Sequence, residues 1–155
     1  MNSSMQFRSE AHPESVRGPQ FEMNVSSRDD FNWLRRIIEP VYNFVTGRVA
    51  FDYSSAAVYG EDMDIGWIYP GIADGDVLTL AQQGSRLTKK RDWNPAKLRA
   101  MGPRIETWLA GIQRADFKYP PINKPGVICL QVHGGNYASP EKHFVQWRNL
   151  MIREL

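Results

Sequence analysis

One apolar run near the C-terminal end constrains the fold of this 155-residue chain more than any other feature. Residues 126–132 read G-V-I-C-L-Q-V and are apolar almost throughout. A strand inside a parallel sheet has this composition, because helices cover both of its faces. The run therefore predicts a central strand of an α/β sheet, with Cys129 as a core residue.

Strand-like and helix-like segments alternate along the rest of the chain. Residues 21–25 alternate apolar and polar side chains, which indicates a short first strand. Residues 48–59 fit either a strand or a helical turn. This alternation favours an α/β fold, a three-layer sandwich with a mainly parallel central sheet. The further predicted strands cover 62–68 and 86–89, and the predicted helices cover 26–45, 74–84, 94–112 and 139–151.

Length and composition indicate one domain with an ordinary core. The net charge of +2 neither requires nor excludes a nucleic-acid partner. A single cysteine fits a reducing compartment, and no apolar leader or membrane-spanning run is present, so we expect a cytoplasmic protein. Residues 1–20 are polar and contain two prolines, which favours a flexible N-terminal tail or a docking arm before a domain over 21–155.

Four acids lie at predicted strand ends or helix starts: Glu22, Asp74, Asp76 and Asp92. In a parallel sheet these positions meet at one edge, where ligands bind. Clustered carboxylates repel one another unless a cation neutralises them, and oxygen ligands select Mg²⁺ or Mn²⁺. The alternative is that the two helix-start acids cap and support their helix while the other two are solvated.

Three consecutive basic residues precede the last of these acids. Lys89, Lys90 and Arg91 can contact a phosphate backbone, or they can form a solvated strand end. Lys90 could also form an ion pair with the neighbouring acids and occupy the place of the metal ion.

Five motifs together resemble the PIN-like proteins of the DUF5615 type, which are relatives of the PIN-domain ribonucleases. The order of the five motifs within residues 21–151 supports the resemblance more than any single motif does. The first-strand aspartate of that family is replaced by Glu22, and the first aspartate of its T-x-D-x-D-F pattern is replaced by Lys90. The motifs are F-E-M-N-V-S at 21–26, G-E-D-M-D-I at 60–65, A-D-G-D-V-L-T-L-A at 73–81, S-R-L-T-K-K-R-D-W at 85–93 and P-G-V-I-C-L-Q-V at 125–132.

The resemblance implies metal-dependent hydrolysis of a phosphodiester, with RNA as the expected substrate. Glu22, Asp76 and Asp92 would bind the metal ion, Asp74 would hold the helix start or reach a second ion, and the basic run would contact RNA. A toxin of a toxin–antitoxin pair is one form of this activity, with an antitoxin protein as partner and a homodimer as a possible assembly. The alternatives are a catalytically degenerate binding or regulatory protein on the same fold, and a subunit of a larger assembly.

Overall fold

The computed structural model describes residues 2–24, 55–73, 75, 80, 83–84, 86–89, 91–132 and 145–155. These residues contain eight strands, a short 3-10 helix at Pro120–Ile122 and helical residues at 80, 83–84 and 86–87. No described helix is long and apolar enough to cross a membrane. The strands are β1 (Asn2–Ala11), β2 (Val16–Asn24), β3 (Val58–Glu61), β4 (Gly66–Tyr69), β5 (Ala96–Met101), β6 (Arg104–Leu109), β7 (Ile112–Lys118) and β8 (Val127–Val132).

The first sheet has five antiparallel strands in the order β4-β3-β2-β1-β8. β1 and β2 form the centre of this sheet, and β8 lies at one edge of it. The register between β1 and β2 shifts between Gln6 and Glu10, as at a β-bulge. Gly18 faces this irregular part of β1, where a Cβ atom would lie 2.3 Å from Ser9 Oγ, so only glycine fits.

The second sheet is the antiparallel meander β5-β6-β7. Each of its connections has two residues between the paired strand ends. In the β5–β6 turn, Gly102 has φ +54° at the first central position and Pro103 occupies the second. This is the pattern of a type II′ hairpin. Ala110 and Gly111 both have positive φ in the other turn, the pattern of a type I′ hairpin.

The two sheets pack face to face around one apolar core. Phe21 and Ile68 come from the first sheet, and Ile105 and Leu109 come from the second. The rings of Tyr69 and Phe117 stack across the interface with centroids 5.1 Å apart. The described part of the chain is therefore a β-sandwich, in which each strand turns alternate side chains toward the core.

The three-layer α/β sandwich with a parallel sheet is wrong, because every strand pair in the described residues is antiparallel. The clearest error lies at 94–112, where the predicted helices are strands β5 and β6. The apolar stripe at helical spacing also contains a period of two, since Ile105, Thr107 and Leu109 all face inward. The Gly102-Pro103 pair closes a hairpin there instead of bending a helix.

Other sequence-based assignments are partly confirmed. A strand does cover residues 21–24, but it begins at Val16, and residues 2–11 form β1 where a tail was expected. β8 lies at the predicted position, yet it is an antiparallel edge strand with Ile128 and Val132 exposed. Residues 62–68 contain a hairpin turn and the start of β4, and residues 86–89 are not a strand. The predicted helix at 26–45 lies outside the described residues.

Arg114 on β7 is buried between the second sheet and the chain around residues 55 and 80. Its guanidinium donates to Ser55 O at 3.2 Å, to Gln83 Oε1 at 2.8 Å and to Leu80 O. Burial lowers the pKa of Arg114 to about 10, so the side chain is still protonated at neutral pH.

Arg8 connects the two sheets through backbone carbonyls. Its guanidinium donates to Gly102 O at 2.6 Å and to Ala100 O at 3.2 Å, both at the β5–β6 hairpin.

We expect Arg8→Met to lower the free energy of unfolding by about 1–3 kcal/mol, because hydrogen bonds from a charged donor are lost and these carbonyls lose a partner. Urea unfolding measures the change. Arg17→Met, at an exposed position on β2, is the matched control, and an equal loss in both variants would contradict the role of Arg8.

Candidate functional site

One face of the five-stranded sheet is lined by polar side chains, and we call it the polar face. The strand register places Ser4 opposite Glu22, and Gln6 opposite Gln20, on β1 and β2. It also places Gln131 of β8 opposite Ser4. Directly paired residues project on the same side of a sheet, so these five side chains share one face. The intervening residues, such as Phe21, turn to the core.

Four of the five residues of the polar face are buried, although they are hydrophilic. Ser4 is 0% exposed, Glu22 is 4% exposed, and Gln6 and Gln20 are similarly buried. Buried polar groups are costly unless they are hydrogen-bonded, so such a set marks a specialised surface more often than a general core.

Hydrogen bonds connect the polar face across three strands. Ser4 Oγ lies 2.6 Å from Gln131 Oε1 and 3.1 Å from Gln20 Oε1. Gln20 Nε2 in turn donates to Glu22 Oε1. Gln6 Nε2 donates to Val16 O at 2.8 Å, which holds that amide near the turn between β1 and β2. The network leads from β8 to the Glu22 carboxylate.

An aromatic pair extends the same face toward the opposite sheet edge. Tyr59 of β3 is paired with Gln20, and Trp67 of β4 is paired with Tyr59. The two rings meet edge to face, with centroids 5.2 Å apart and an interplanar angle of 71°. Aromatic rings beside amides and a carboxylate provide both apolar and hydrogen-bonding contacts for one ligand.

A cleft of about 470 Å³ opens at the β8 side of the polar face. Gln6, Cys129 and Gln131 line it from the sheet. The turn at residues 12–16 and the end of β3 line it from the other side, where the side chains include His12, Glu14, Glu61 and Asp62. The volume lies in the range of small-molecule sites.

These groups suit a neutral ligand that carries several hydroxyl groups. Amide side chains can both donate to and accept from hydroxyls, and a carboxylate accepts two or more such hydrogen bonds. Glu22 can also accept a proton from carbon or oxygen when a ligand brings an acidic hydrogen to it. The polar face thus combines binding groups with a potential base.

Among the predicted site residues that the structure describes, Glu22 alone lies on the polar face. Asp92 lies in an exposed turn before β5, where its Oδ1 accepts from the backbone N–H of Trp93 at 2.7 Å. Its Oδ2 is 3.9 Å from Lys89 Nζ, and both side chains are largely solvated. The Glu22 side chain is therefore buried on the sheet, whereas Asp92 lies in a solvated turn.

The other predicted site residues are described only in part. Asp74, Asp76 and Lys90 lie outside the described residues. Lys89 and Arg91 are exposed beside Asp92, and Arg91 has φ +57°. In the part of the chain that the structure covers, no three His, Cys, Asp or Glu side chains form a group able to hold a metal ion.

Sequence reasoning did not identify Ser4, Gln20 and Gln131 as site residues. A signal was present, since residues 4–7 and 19–23 alternate polar and apolar side chains with a period of two. Assigning residues 1–20 to a tail removed half of that pattern from consideration. Only the strand register shows which face of the five-stranded sheet carries the polar side chains.

The family comparison agrees with the β-sandwich and not with the PIN-like resemblance. A family model described as a 3-keto-alpha-glucoside-1,2-lyase-like domain matches residues 1–153. No curated protein is significantly similar to the chain. The PIN-like assignment is wrong, and with it the ribonuclease and toxin functions, because the described strands pair in antiparallel sheets and the family model that matches is a different one. The chain belongs to the 3-keto-alpha-glucoside-1,2-lyase-like family.

Proposed function

We propose that the protein is a carbohydrate-active lyase that cleaves a 3-keto-glucoside by elimination across C1 and C2. The family description suggests the substrate and the bond. The observation that carries the proposal is the buried Glu22 carboxylate on a sheet face whose amides Gln6 and Gln131 line a cleft of about 470 Å³.

The reaction needs a base because the ketone at C3 makes the hydrogen at C2 acidic. A base removes that proton, and the electron pair of the C2–H bond is delocalised onto the C3 oxygen as an enolate. The enolate then re-forms the ketone, its electrons make the C1–C2 double bond, and the C1–O bond to the leaving alcohol breaks. The alkoxide that leaves takes up one proton, so the products are an unsaturated 3-keto sugar and an alcohol.

Glu22 is the candidate base for the first step. Gln20 Nε2 donates to one carboxylate oxygen, Oε1, and so holds in place a group of the kind that serves as a general base. Hydrogen-bond donors on the polar face can stabilise the charge that develops on the C3 oxygen. Tyr59 and Trp67 offer apolar surface to the C–H groups of a pyranose ring.

The direct test uses 4-nitrophenyl 3-keto-α-glucoside. We expect release of nitrophenol together with an ultraviolet-absorbing enone that is lighter than 3-keto-glucose by one water molecule. The matched control is the unoxidised 4-nitrophenyl α-glucoside, which should not react because its C2 hydrogen is not acidic. Deuterium at C2 should slow the reaction of the keto substrate. Cleavage of both glycosides at similar rates would contradict elimination and indicate hydrolysis.

The rim of the cleft predicts a charge preference. Glu14, Glu61 and Asp62 line it, and the described lining residues include no lysine or arginine. We expect a 3-keto-glucoside with a carboxylated leaving group to have a KM about 5–10-fold above that of its neutral analogue, because like charges repel across the rim. Added salt should reduce this difference.

Variants of the rim test the same preference. The double variant Glu61→Gln, Asp62→Asn should bring the KM values of the carboxylated and neutral substrates within about twofold of each other. Glu154→Gln, an exposed acid near the C-terminal end, serves as the control and should leave the preference unchanged. Equal KM values for both substrates in the unmodified protein would contradict the role of the rim.

A further inference from the structure

Ser4 lies between two side-chain amides, and its hydroxyl can donate a hydrogen bond to only one of them at a time. Its Oγ is 2.6 Å from Gln131 Oε1 and 3.1 Å from Gln20 Oε1. A serine hydroxyl carries a single proton, so it donates to one of these two oxygens and leaves the other without that donor. The shorter distance assigns the donation to Gln131 in this structure. Ser4 is 0% exposed, so the choice lies between these two amides and not between an amide and bulk water.

The second amide leads directly to the candidate base. Gln20 Oε1 lies within reach of the Ser4 hydroxyl and can accept from it, while Gln20 Nε2 donates to Glu22 Oε1. Hydrogen bonds in a chain polarise one another, so an amide whose oxygen accepts a hydrogen bond donates more strongly from its nitrogen. The state of the Ser4 proton therefore affects how firmly Gln20 holds the Glu22 carboxylate.

The first amide leads to the cleft. Gln131 belongs to β8, lines the cleft and faces Ser4 across the β1–β8 pairing. Gln131 Oε1 has two lone pairs, and a sugar hydroxyl that donates to the one used by Ser4 displaces the Ser4 hydrogen bond. When the sugar takes that place, the Ser4 proton is released to turn toward Gln20.

We infer that Ser4 is a hydrogen-bond switch that couples binding of a sugar at Gln131 to the Glu22 carboxylate. Ser4 and Gln20 act as positioning residues, since neither needs to touch the reacting atoms. The inference rests on the proposed function for its catalytic meaning. In that function, occupation of the cleft tightens the Gln20–Glu22 hydrogen bond and orients the base when the C2 proton has to be removed.

The test follows the side-chain carboxyl signal of Glu22 by carbon-13 NMR during titration with methyl α-D-glucopyranoside. This sugar lacks the 3-ketone, so it binds without being eliminated. Loss of the signal in Glu22→Gln assigns it. We expect the sugar to shift the Glu22 signal in the unmodified protein, and to shift it less than half as far in Ser4→Ala, with the sugar Kd within about threefold of the original value.

Ser9→Ala is the matched control. Ser9 is equally buried on the same strand, but its hydroxyl donates locally to Phe7 O at 3.1 Å and is outside the network. In Ser9→Ala, the sugar should shift the Glu22 carboxyl signal as far as it does in the unmodified protein. Ser4→Cys keeps the size of the side chain while weakening the donor, and should give an intermediate shift. A full Glu22 shift in Ser4→Ala, or no shift in the unmodified protein at saturating sugar, would overturn the inference.

Kinetics with the 3-keto substrate separate this inference from the proposed function. We expect Ser4→Ala to lower kcat about tenfold while KM changes less than threefold, as for the loss of one hydrogen bond that matters after binding. Turnover in the unmodified protein with an unchanged kcat in Ser4→Ala would overturn the switch and leave the lyase standing. A ligand-dependent Glu22 shift without any turnover would support the switch and end the proposed elimination.

Discussion

Replacing Glu22 by glutamine is expected to lower kcat/KM for a 3-keto-glucoside by about 10³-fold, as for loss of a general base. Glutamine has nearly the same shape as glutamate but cannot accept the C2 proton at neutral pH. The buried position of Glu22 on β2, with Gln20 as a hydrogen-bond donor, means that the amide keeps the packing of the polar face. The KM should change little, because the loss concerns proton transfer and not ring binding.

Two controls make this result specific. Glu22→Asp retains a carboxylate that is one methylene shorter, so it should keep more activity than the glutamine variant. Glu10→Gln removes an exposed acid that pairs with Lys124, away from the polar face, and should leave kcat/KM unchanged. Thermal unfolding of all three variants checks that they are folded. If Glu22→Gln retains more than about a tenth of the activity, the base is another residue.

Truncating Ile105 to alanine is expected to lower the free energy of unfolding by about 2–5 kcal/mol. Ile105 is 0% exposed in the middle strand of the second sheet and belongs to the core between the sheets. Removing its side chain beyond Cβ loses buried apolar area and leaves a cavity that the surrounding strands fill only in part. The midpoint of urea unfolding, followed by tryptophan fluorescence, measures the change.

Ile112→Ala is the matched control for this prediction. The same residue type lies in the neighbouring strand β7, but Ile112 is 48% exposed. Its truncation should change the free energy of unfolding by less than about 0.5 kcal/mol. Similar losses in the two variants would contradict the hairpin register that turns Ile105 inward. The helix predicted from sequence placed both isoleucines on one apolar stripe, so the pair also distinguishes the two folds.

Several local features of this protein followed from the sequence. The apolar, β-branched run at 127–132 is a strand because such residues pack well on a pleated surface. The alternation at 21–24 is a strand because a period of two separates two faces. Glu22 was identified as a candidate because it is an acid near the end of a predicted strand. These are properties of a few neighbouring residues, which the sequence alone determines.

The pairing of these strands was not determined locally. The stripe at 94–112 satisfies both a helical and an alternating pattern, and packing against the first sheet selects the alternating one. The run at 127–132 looks equally suited to the centre of a parallel sheet, but it pairs with β1 at an antiparallel edge. Short motifs in a fixed order therefore supported a PIN-like fold that the strand pairing contradicts.

The sequence by itself determined where strands such as β2 and β8 lie and which of their side chains alternate. Only the tertiary structure decided that Ser4, Gln20 and Gln131 join Glu22 in one network, because Gln131 is 127 positions from Ser4 and strand register brings the residues together. A shift of one residue in any of these pairings would turn the polar side chains into the core. The candidate site thus depends on long-range pairing, which is a property of the folded sheet and not of any one segment.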